Sequence, residues 1–195
     1  MSISAQQVKE LRERTGAGLM DCKRALVEAE GDAEQARTIL RERGLAKAEK
    51  KRGRETSEGI IASYVHSNER LGVLVELACE TDFVARSDEF KQLGKEMAMQ
   101  VAASNPLALI PDELPEETVE AEREVYRKQH EDKPENIQEQ IIEGKLGKFY
   151  DENCLLRQPY IRDDSLTVEE FLKQAIAKLG ENIELRRFVR MEVGG

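Results

Sequence analysis

Apolar positions along this chain change from helical spacing to strand-like runs and back again, and those changes mark its architecture. Ser4-Ala-Gln-Gln7 has the form of a capping box, and Val8 and Leu11 supply the buried side of a first helix that stops at Thr15-Gly-Ala-Gly18. A second helix is predicted from Leu19 to about Ala29, ending at Gly31. Asp32 caps a third, with Ala33, Ala36, Ile39 and Leu40 as its apolar stripe and Gly44 as the expected residue just past its end. Three short helices with so few large apolar residues make a small bundle, assigned to residues 1–52. The stretch from Ala46 to Glu58 is polar and basic, a helical tail that passes into a linker over residues 53–58.

Strand-like runs of mixed apolar and β-branched residues follow from Gly59 to His66 and from Leu71 to Cys79, joined by Ser67-Asn-Glu-Arg70 and predicted to form an antiparallel hairpin with Asn68 in the turn conformation. Helical spacing returns with Phe90, Leu93, Met97 and Val101, for which Ser87 is the N-cap. Pro106, Pro111 and Pro115 punctuate an irregular crossing. A charged helix from Glu116 to Gln129 follows, then one with Pro134 in its first turn and Ile137, Ile141, Ile142, Leu146 and Phe149 as apolar members; the two are expected to form a projecting helical hairpin. Thr167-Val-Glu-Glu170 opens a last helix that presents Phe171, Leu172, Ala175, Ile176 and Leu179, with Gly180 beyond it. Ile183, Leu185, Val189, Met191 and Val193 mark a closing strand. Residues 59–195 therefore read as an α+β domain, a small antiparallel sheet packed with helices, following the three-helix bundle.

One large side chain belongs to neither period. Phe83 sits in Glu80-Thr-Asp-Phe-Val-Ala-Arg86, between a strand and a helix. It is either a plug over the N-terminus of the following helix or an exposed anchor at a tip that enters a partner.

Composition narrows the partner. Of 195 residues, 39% are apolar, 5% aromatic and 35% charged, so much of the length is amphipathic helix with solvated faces. A formal net charge of −9 argues against general nucleic-acid binding, which needs a net supply of Lys and Arg, and leaves a protein as the expected partner. The first 58 residues carry 13 basic and 11 acidic residues, with the bases gathered at Arg41, Arg43, Lys47, Lys50, Lys51, Arg52 and Arg54. That run is a solvated helix end or a contact for an acidic surface. The start Met-Ser-Ile-Ser lacks the regions of a signal peptide and no apolar run reaches a membrane span, so the expected compartment is the cytoplasm, with no membrane contact.

Covalent chemistry finds no foothold in the motifs. Gly16-Ala-Gly-Leu-Met-Asp-Cys-Lys23 lacks the spacing of a phosphate-binding loop, and there is no G-x-S-x-G elbow. Cys22, Cys79 and Cys154 are far apart and without a C-x-x-C pair, which indicates neither a metal site nor a disulfide framework; His66 and His130 are distant from each other and from every cysteine. No cofactor and no enzymatic activity are expected.

Two stretches go further than patterning. Arg14-Thr-Gly-Ala-Gly-Leu-Met-Asp-Cys-Lys-Arg-Ala-Leu26 and Glu76-Leu-Ala-Cys-Glu-Thr-Asp-Phe-Val-Ala-Arg86 closely resemble the signature segments of the translation elongation factor Ts family, and the resemblance extends from Val8 to the closing Phe188-Val-Arg-Met-Glu-Val193. It implies a guanine nucleotide exchange factor for the GTPase elongation factor Tu, with a ubiquitin-associated-like three-helix module at its N-terminus. The resemblance places Arg12, Leu19, Met20 and Lys23 against a helix of the GTPase domain, with Lys51 as a further basic contact. Leu19 stands where methionine is common in the family, a change that keeps the volume. The resemblance carries the tip, Thr81, Asp82, Phe83 and Val84, to the nucleotide's magnesium site, and makes Leu179-Gly-Glu-Asn182 another contact loop, in which Gly180 permits close backbone approach.

Long-form relatives have two copies of the sheet module, whereas this chain has room for one. The resemblance thus implies a homodimer and a two-plus-two complex with elongation factor Tu, in which the partner protomer presents the region around His66 and the closing strand or its flanking surface forms the interface. Two rival functions use the same residues differently. A binding module for nascent chains or ubiquitin-like partners needs only the Gly-Leu-Met turn, and a scaffold holds the GTPase without changing nucleotide release.

Overall fold

The computed structural model describes residues 3–194. Its elements are α1 (Ala5–Thr15), α2 (Leu19–Glu28), α3 (Ala33–Glu49), β1 (Glu58–Val65), β2 (Leu71–Cys79), α4 (Asp82–Arg86), α5 (Asp88–Ser104), α6 (Glu116–Gln129), α7 (Glu135–Asn153), β3 (Pro159–Tyr160), β4 (Asp163–Thr167), α8 (Val168–Leu179) and β5 (Ile183–Glu192). The fold is mixed, as its two periodicities require. The sheet runs β1-β2-β5, and β3 pairs antiparallel with β4. The N–H of Val193 meets the carbonyl of Arg70 at one end of the β2–β5 pair, and that of Asn182 meets Glu80 at the other, so these strands too are antiparallel.

The described residues form two compact units, one with the chain up to residue 59 together with 78–90 and 170–184, the other with 60–77, 91–169 and the chain from 185 onward. In the first, α1 to α3 enclose Val8, Leu11, Cys22, Ala25, Leu26, Ala29 and Ala36, with Ile39 and Leu40 partly buried against them. The capping box at Ser4 forms in both directions with Gln7, and Asp32 takes the N–H groups of Glu34 and Gln35. Two expectations change here. Ala33 is exposed rather than part of the core stripe. Gly44 does not end α3, which continues to Glu49 because Leu45, Ala46 and Ala48 are good helix formers. A Cβ built on Gly44 meets that of Ala177 at 3.5 Å, so this glycine lies where α8 packs closely on α3.

The second unit joins sheet to helix through another glycine. A Cβ on Gly94 of α5 would stand 2.8 Å from the Ala62 Cβ and 3.1 Å from Ile60, both in β1. The β1–β2 turn differs from expectation: Glu69, not Asn68, adopts positive φ, at 57°, while the Asn68 side chain accepts the N–H of Arg70 at 3.0 Å. Asn is suited to either role, and here its side chain serves as the acceptor.

The helices α6 and α7 form a hairpin tied by charge, with Arg123 reaching both Glu139 and Glu143 at 2.7 Å and Lys145 over the Tyr126 ring. Pro134 precedes α7 as its N-cap rather than lying in its first turn. Within the same unit, Glu96 of α5 accepts from Gln92 at 2.7 Å, Tyr160 at 3.0 Å and Arg162 at 2.6 Å. These bonds fasten the β3–β4 ribbon to α5, and they compensate a carboxylate that is almost wholly buried.

Candidate functional site

The tip is built at the end of β2, where the chain turns sharply into the five-residue helix α4. A helix this short cannot hold itself together, since nucleation costs more than one turn returns. Its anchors are therefore tertiary. Val84 and Ala85 are buried, Ser87 Oγ donates to the Val84 carbonyl at 2.7 Å, and the same Oγ accepts the N–H of Phe90 at the start of α5. Thr81 caps α4, its Oγ1 accepting the N–H of Val84 at 3.4 Å.

Phe83 and Phe90 show what this arrangement does. Phe90 is 0% exposed and Phe83 is 82% exposed. Of the two possibilities open in the sequence, the plug is excluded and Phe83 projects into solvent. Asp82 beside it pairs with Arg86 at 3.0 Å across one turn, both side chains being well exposed.

A second exposed apolar group lies in the bundle. Leu19, Met20 and Val27 are 52%, 63% and 58% exposed on α2, and Lys23 lies between them. Arg12 on α1 is exposed as well. Behind this face Asp21 receives Lys47 at 2.9 Å and also Arg24, and the two hydrogen bonds hold its carboxyl below the usual aspartate range. Val27 was not among the residues singled out from sequence, although its spacing of four from Lys23 and seven from Met20 places it on the same helical face.

The basic run of the sequence is consumed mostly inside this unit. Arg41 pairs with Glu170 at 2.8 Å, Arg43 with Glu28, Arg52 with Glu49 at 3.3 Å and Arg54 with Glu80 at 3.6 Å. Lys51 Nζ donates to the carbonyl of Gly180. Gly180 takes φ +84° and closes α8 by donating to the Ile176 carbonyl at 3.0 Å, and Leu179 before it is half-buried. The loop thus touches Lys51, a pairing of two sequence-selected residues that are far apart in the chain.

Glu181 and Asn182 lie in the loop that the resemblance marks as a contact, but nothing in the sequence pairs them with the tip. Glu181 accepts the Thr81 N–H at 3.0 Å on one oxygen and the Thr81 hydroxyl at 2.6 Å on the other. Asn182 answers in reverse, its N–H donating to Glu80 at 2.6 Å while its side-chain amide donates to the Arg54 carbonyl at 2.9 Å. Pairs separated by about a hundred positions leave no local pattern.

In the second unit His66 is exposed and its Nδ1 lies 2.9 Å from the Tyr64 hydroxyl. The sheet here is half covered. Ile60 and Ala62 point toward α5, so Ile61 and Val65 face the other way; Val73, Val75 and Leu77 are buried, so Leu74 and Glu76 face outward. Glu76 bonds to Arg187 at 2.5 Å, which puts Val189 and Met191 on that outward face by period two. Each apolar residue of this set, with Val193 beyond the strand, is at least half exposed.

Among the described residues no group of three or more His, Cys, Asp or Glu is placed to hold a metal ion, and no helix is long and apolar enough to cross a membrane. Cys22, Cys79 and Cys154 are buried free thiols, and burial pushes those of Cys79 and Cys154 up.

Residues 34–195 match the family model described as elongation factor TS. The whole chain is similar to elongation factor Ts of Fervidobacterium nodosum, 59% identical over 196 residues covering 100% of both. It is 58% identical to that of Thermosipho melanesiensis, over 98% of this chain and 99% of the other, and 56% identical to that of Thermotoga maritima, over 100% and 98%. The family match takes in the tip and the loop after α8; α1 and α2 are covered by the full-length relatives.

Proposed function

The chain belongs to the elongation factor Ts family, and on that premise we propose that this translation elongation factor binds GDP-bound elongation factor Tu and promotes release of the nucleotide. The observation that carries the reading is Phe83, a large apolar side chain 82% exposed on a helix that is capped and anchored at its base. An exposed Phe held in one place is a wedge rather than a fold element.

Exchange follows from what such a wedge does to a magnesium-dependent site. Mg²⁺ demands near-octahedral oxygen ligands and bridges nucleotide phosphates, so a small displacement of the partner's loops weakens nucleotide binding. If Phe83 is buried only when those loops are displaced, its burial favours that state by roughly 1.5–3 kcal/mol, about one to two powers of ten in nucleotide affinity. Asp82 competes for donors near the same site, after giving up Arg86. Docking is the separate task of Arg12, Leu19, Met20 and Lys23, whose apolar members are solvated in the free chain, with Lys51, Leu179, Gly180 and His66 as further contacts. Because coupling is reciprocal, rebinding of nucleotide expels the factor in turn. The chain supplies no covalent chemistry, and works in the cytoplasm beside its GTPase.

A homodimer belongs to the same proposal. Its support is the uncovered face of the β1-β2-β5 sheet, where Ile61, Val65, Leu74, Val189 and Met191 lie around a Glu76 already neutralised by Arg186 and Arg187. A second copy covers this face with its own and brings a second tip, giving the two-plus-two complex.

Stopped-flow release of a fluorescent GDP analogue from elongation factor Tu tests the reading, with saturating wild type and with Phe83→Ala. The expected result is strong acceleration by wild type, reduced about ten- to a hundredfold in the variant. No acceleration by wild type sinks the exchange function and leaves a binding module; equal acceleration by both keeps exchange and removes the wedge.

A further inference from the structure

We propose that Glu181 is a positioning residue for exchange: its carboxylate fixes the Thr81 hydroxyl and thereby the orientation of the helix that carries Phe83. The proposal rests on the exchange reading and adds to it a residue that touches neither nucleotide nor the tip's apolar side chain.

The Thr81 hydroxyl is a rotor. Its one hydrogen can point in several directions, and its lone pairs face the Val84 N–H only when that hydrogen points elsewhere. Glu181 Oε1 takes the hydrogen at 2.6 Å, a short charge-assisted bond, and leaves the lone pairs turned toward α4, where the cap bond to Val84 is 3.4 Å long. The other carboxylate oxygen holds the Thr81 backbone N–H at 3.0 Å, so both the side chain and the main chain of the cap are set by one group.

Glu181 is itself held. The next residue, Asn182, donates its N–H to Glu80 at 2.6 Å and its amide to the Arg54 carbonyl at 2.9 Å, and Glu80 also meets Arg54 at 3.6 Å. The carboxylate before the tip thus bonds the residue after Glu181, while Glu181 bonds the residue after that carboxylate. This reciprocal clasp fixes two chain segments that are flanked by the buried residues Cys79, Val84, Ala85 and Ile183. Only two side chains of α4, Val84 and Ala85, are buried, so the polar clasp decides where its remaining face points.

The test is a concentration series in the GDP-release assay, which separates the saturating rate from the half-saturating concentration, run with wild type, Glu181→Gln, Glu181→Ala, Thr81→Val and the Thr81→Val/Glu181→Ala double variant. Glu181→Ala is expected to lower the saturating rate about tenfold with the half-saturating concentration unchanged, because docking by α2 is intact and only the tip is loosened. Glu181→Gln, which keeps the shape and one acceptor oxygen, is expected to fall between. The double variant is expected to lose less than the product of the single losses, since both remove the same bond. A wild-type saturating rate in Glu181→Ala overturns the proposal, as does a change in half-saturation alone or full multiplication of the losses. If wild type itself fails to accelerate release, the exchange reading falls and takes this role with it.

Discussion

The tip and the outward sheet face both expose apolar side chains, in different ways. The tip offers one Phe on five residues of helix, held by hydrogen bonds at its base. The outward sheet face offers side chains from three strands, held by the sheet itself. Burying one Phe is worth roughly 1.5–3 kcal/mol, below the roughly 4–15 kcal/mol that association costs. The tip alone therefore cannot keep a complex together, but it can tilt an equilibrium in one already formed by other contacts. Several Val, Ile, Leu and Met side chains on one surface can exceed the lower part of that cost and suit a lasting association. Small, rigid exposure fits a step that must be undone in every cycle, and broad exposure fits one that need not be.

The contrast breaks if the two surfaces cannot be disabled separately. The largest effect is expected from Phe83→Ala, whose loss of one to two powers of ten in saturating GDP release should leave the solution mass unchanged. Leu74→Glu combined with Met191→Glu places charges on the sheet face; light scattering should then give the 22.1 kDa of one chain, against twice that expected of wild type if the proposed dimer forms. A wild-type mass already at 22.1 kDa removes the dimer and with it half of the comparison.

A third change acts on the scaffold of the face rather than on its surface. Gly94→Ala forces a Cβ to within 2.8 Å of Ala62, a contact that one of the two elements must relieve by moving. Overpacking of this kind costs about 1–3 kcal/mol, so urea unfolding should shift to lower denaturant by a corresponding amount. The smallest effect belongs to Glu96. Burial pushes its carboxyl up, but the bonds from Arg162, Tyr160 and Gln92 outweigh this and hold it below the ordinary 4.5. A group depressed in the folded state stabilises above its unfolded value and loses that contribution as pH falls through the folded one. The melting temperature should therefore fall below about pH 4.5, and Glu96→Gln should flatten that acid limb while leaving GDP release intact.

How legible these surfaces were depends on the distance over which they are made. The limits of β2, and the stripe of Phe90, Leu93, Met97 and Val101, follow from runs and periods a few residues long. Phe83 was visible as an exception, yet whether it plugged or projected depended on what lay above α5, which no local period encodes. Gly44 looked like a stop because glycine commonly follows helices; here its missing side chain answers to Ala177 on a distant helix. The closing strand showed its alternation, but alternation identifies a face without saying what covers it, and Val189 and Met191 are on the uncovered one. Glu181 stood in a loop the resemblance marked as a contact, but its pairing with Thr81, about a hundred residues away, has no local trace.

The clasp between Glu80-Thr81 and Glu181-Asn182 has a consequence for the order in which this protein becomes competent. Its bonds span about a hundred residues of chain, so the tip is among the highest-contact-order features of the fold. During synthesis Phe83 leaves the ribosome long before Glu181 exists. The bundle can present Leu19 and Met20 early, while the wedge acquires its orientation only when the last strand pairs with β2. On the proposed reading, a nascent or C-terminally truncated chain would dock before its tip is oriented for exchange, and folding itself would set the order in which binding and activity appear.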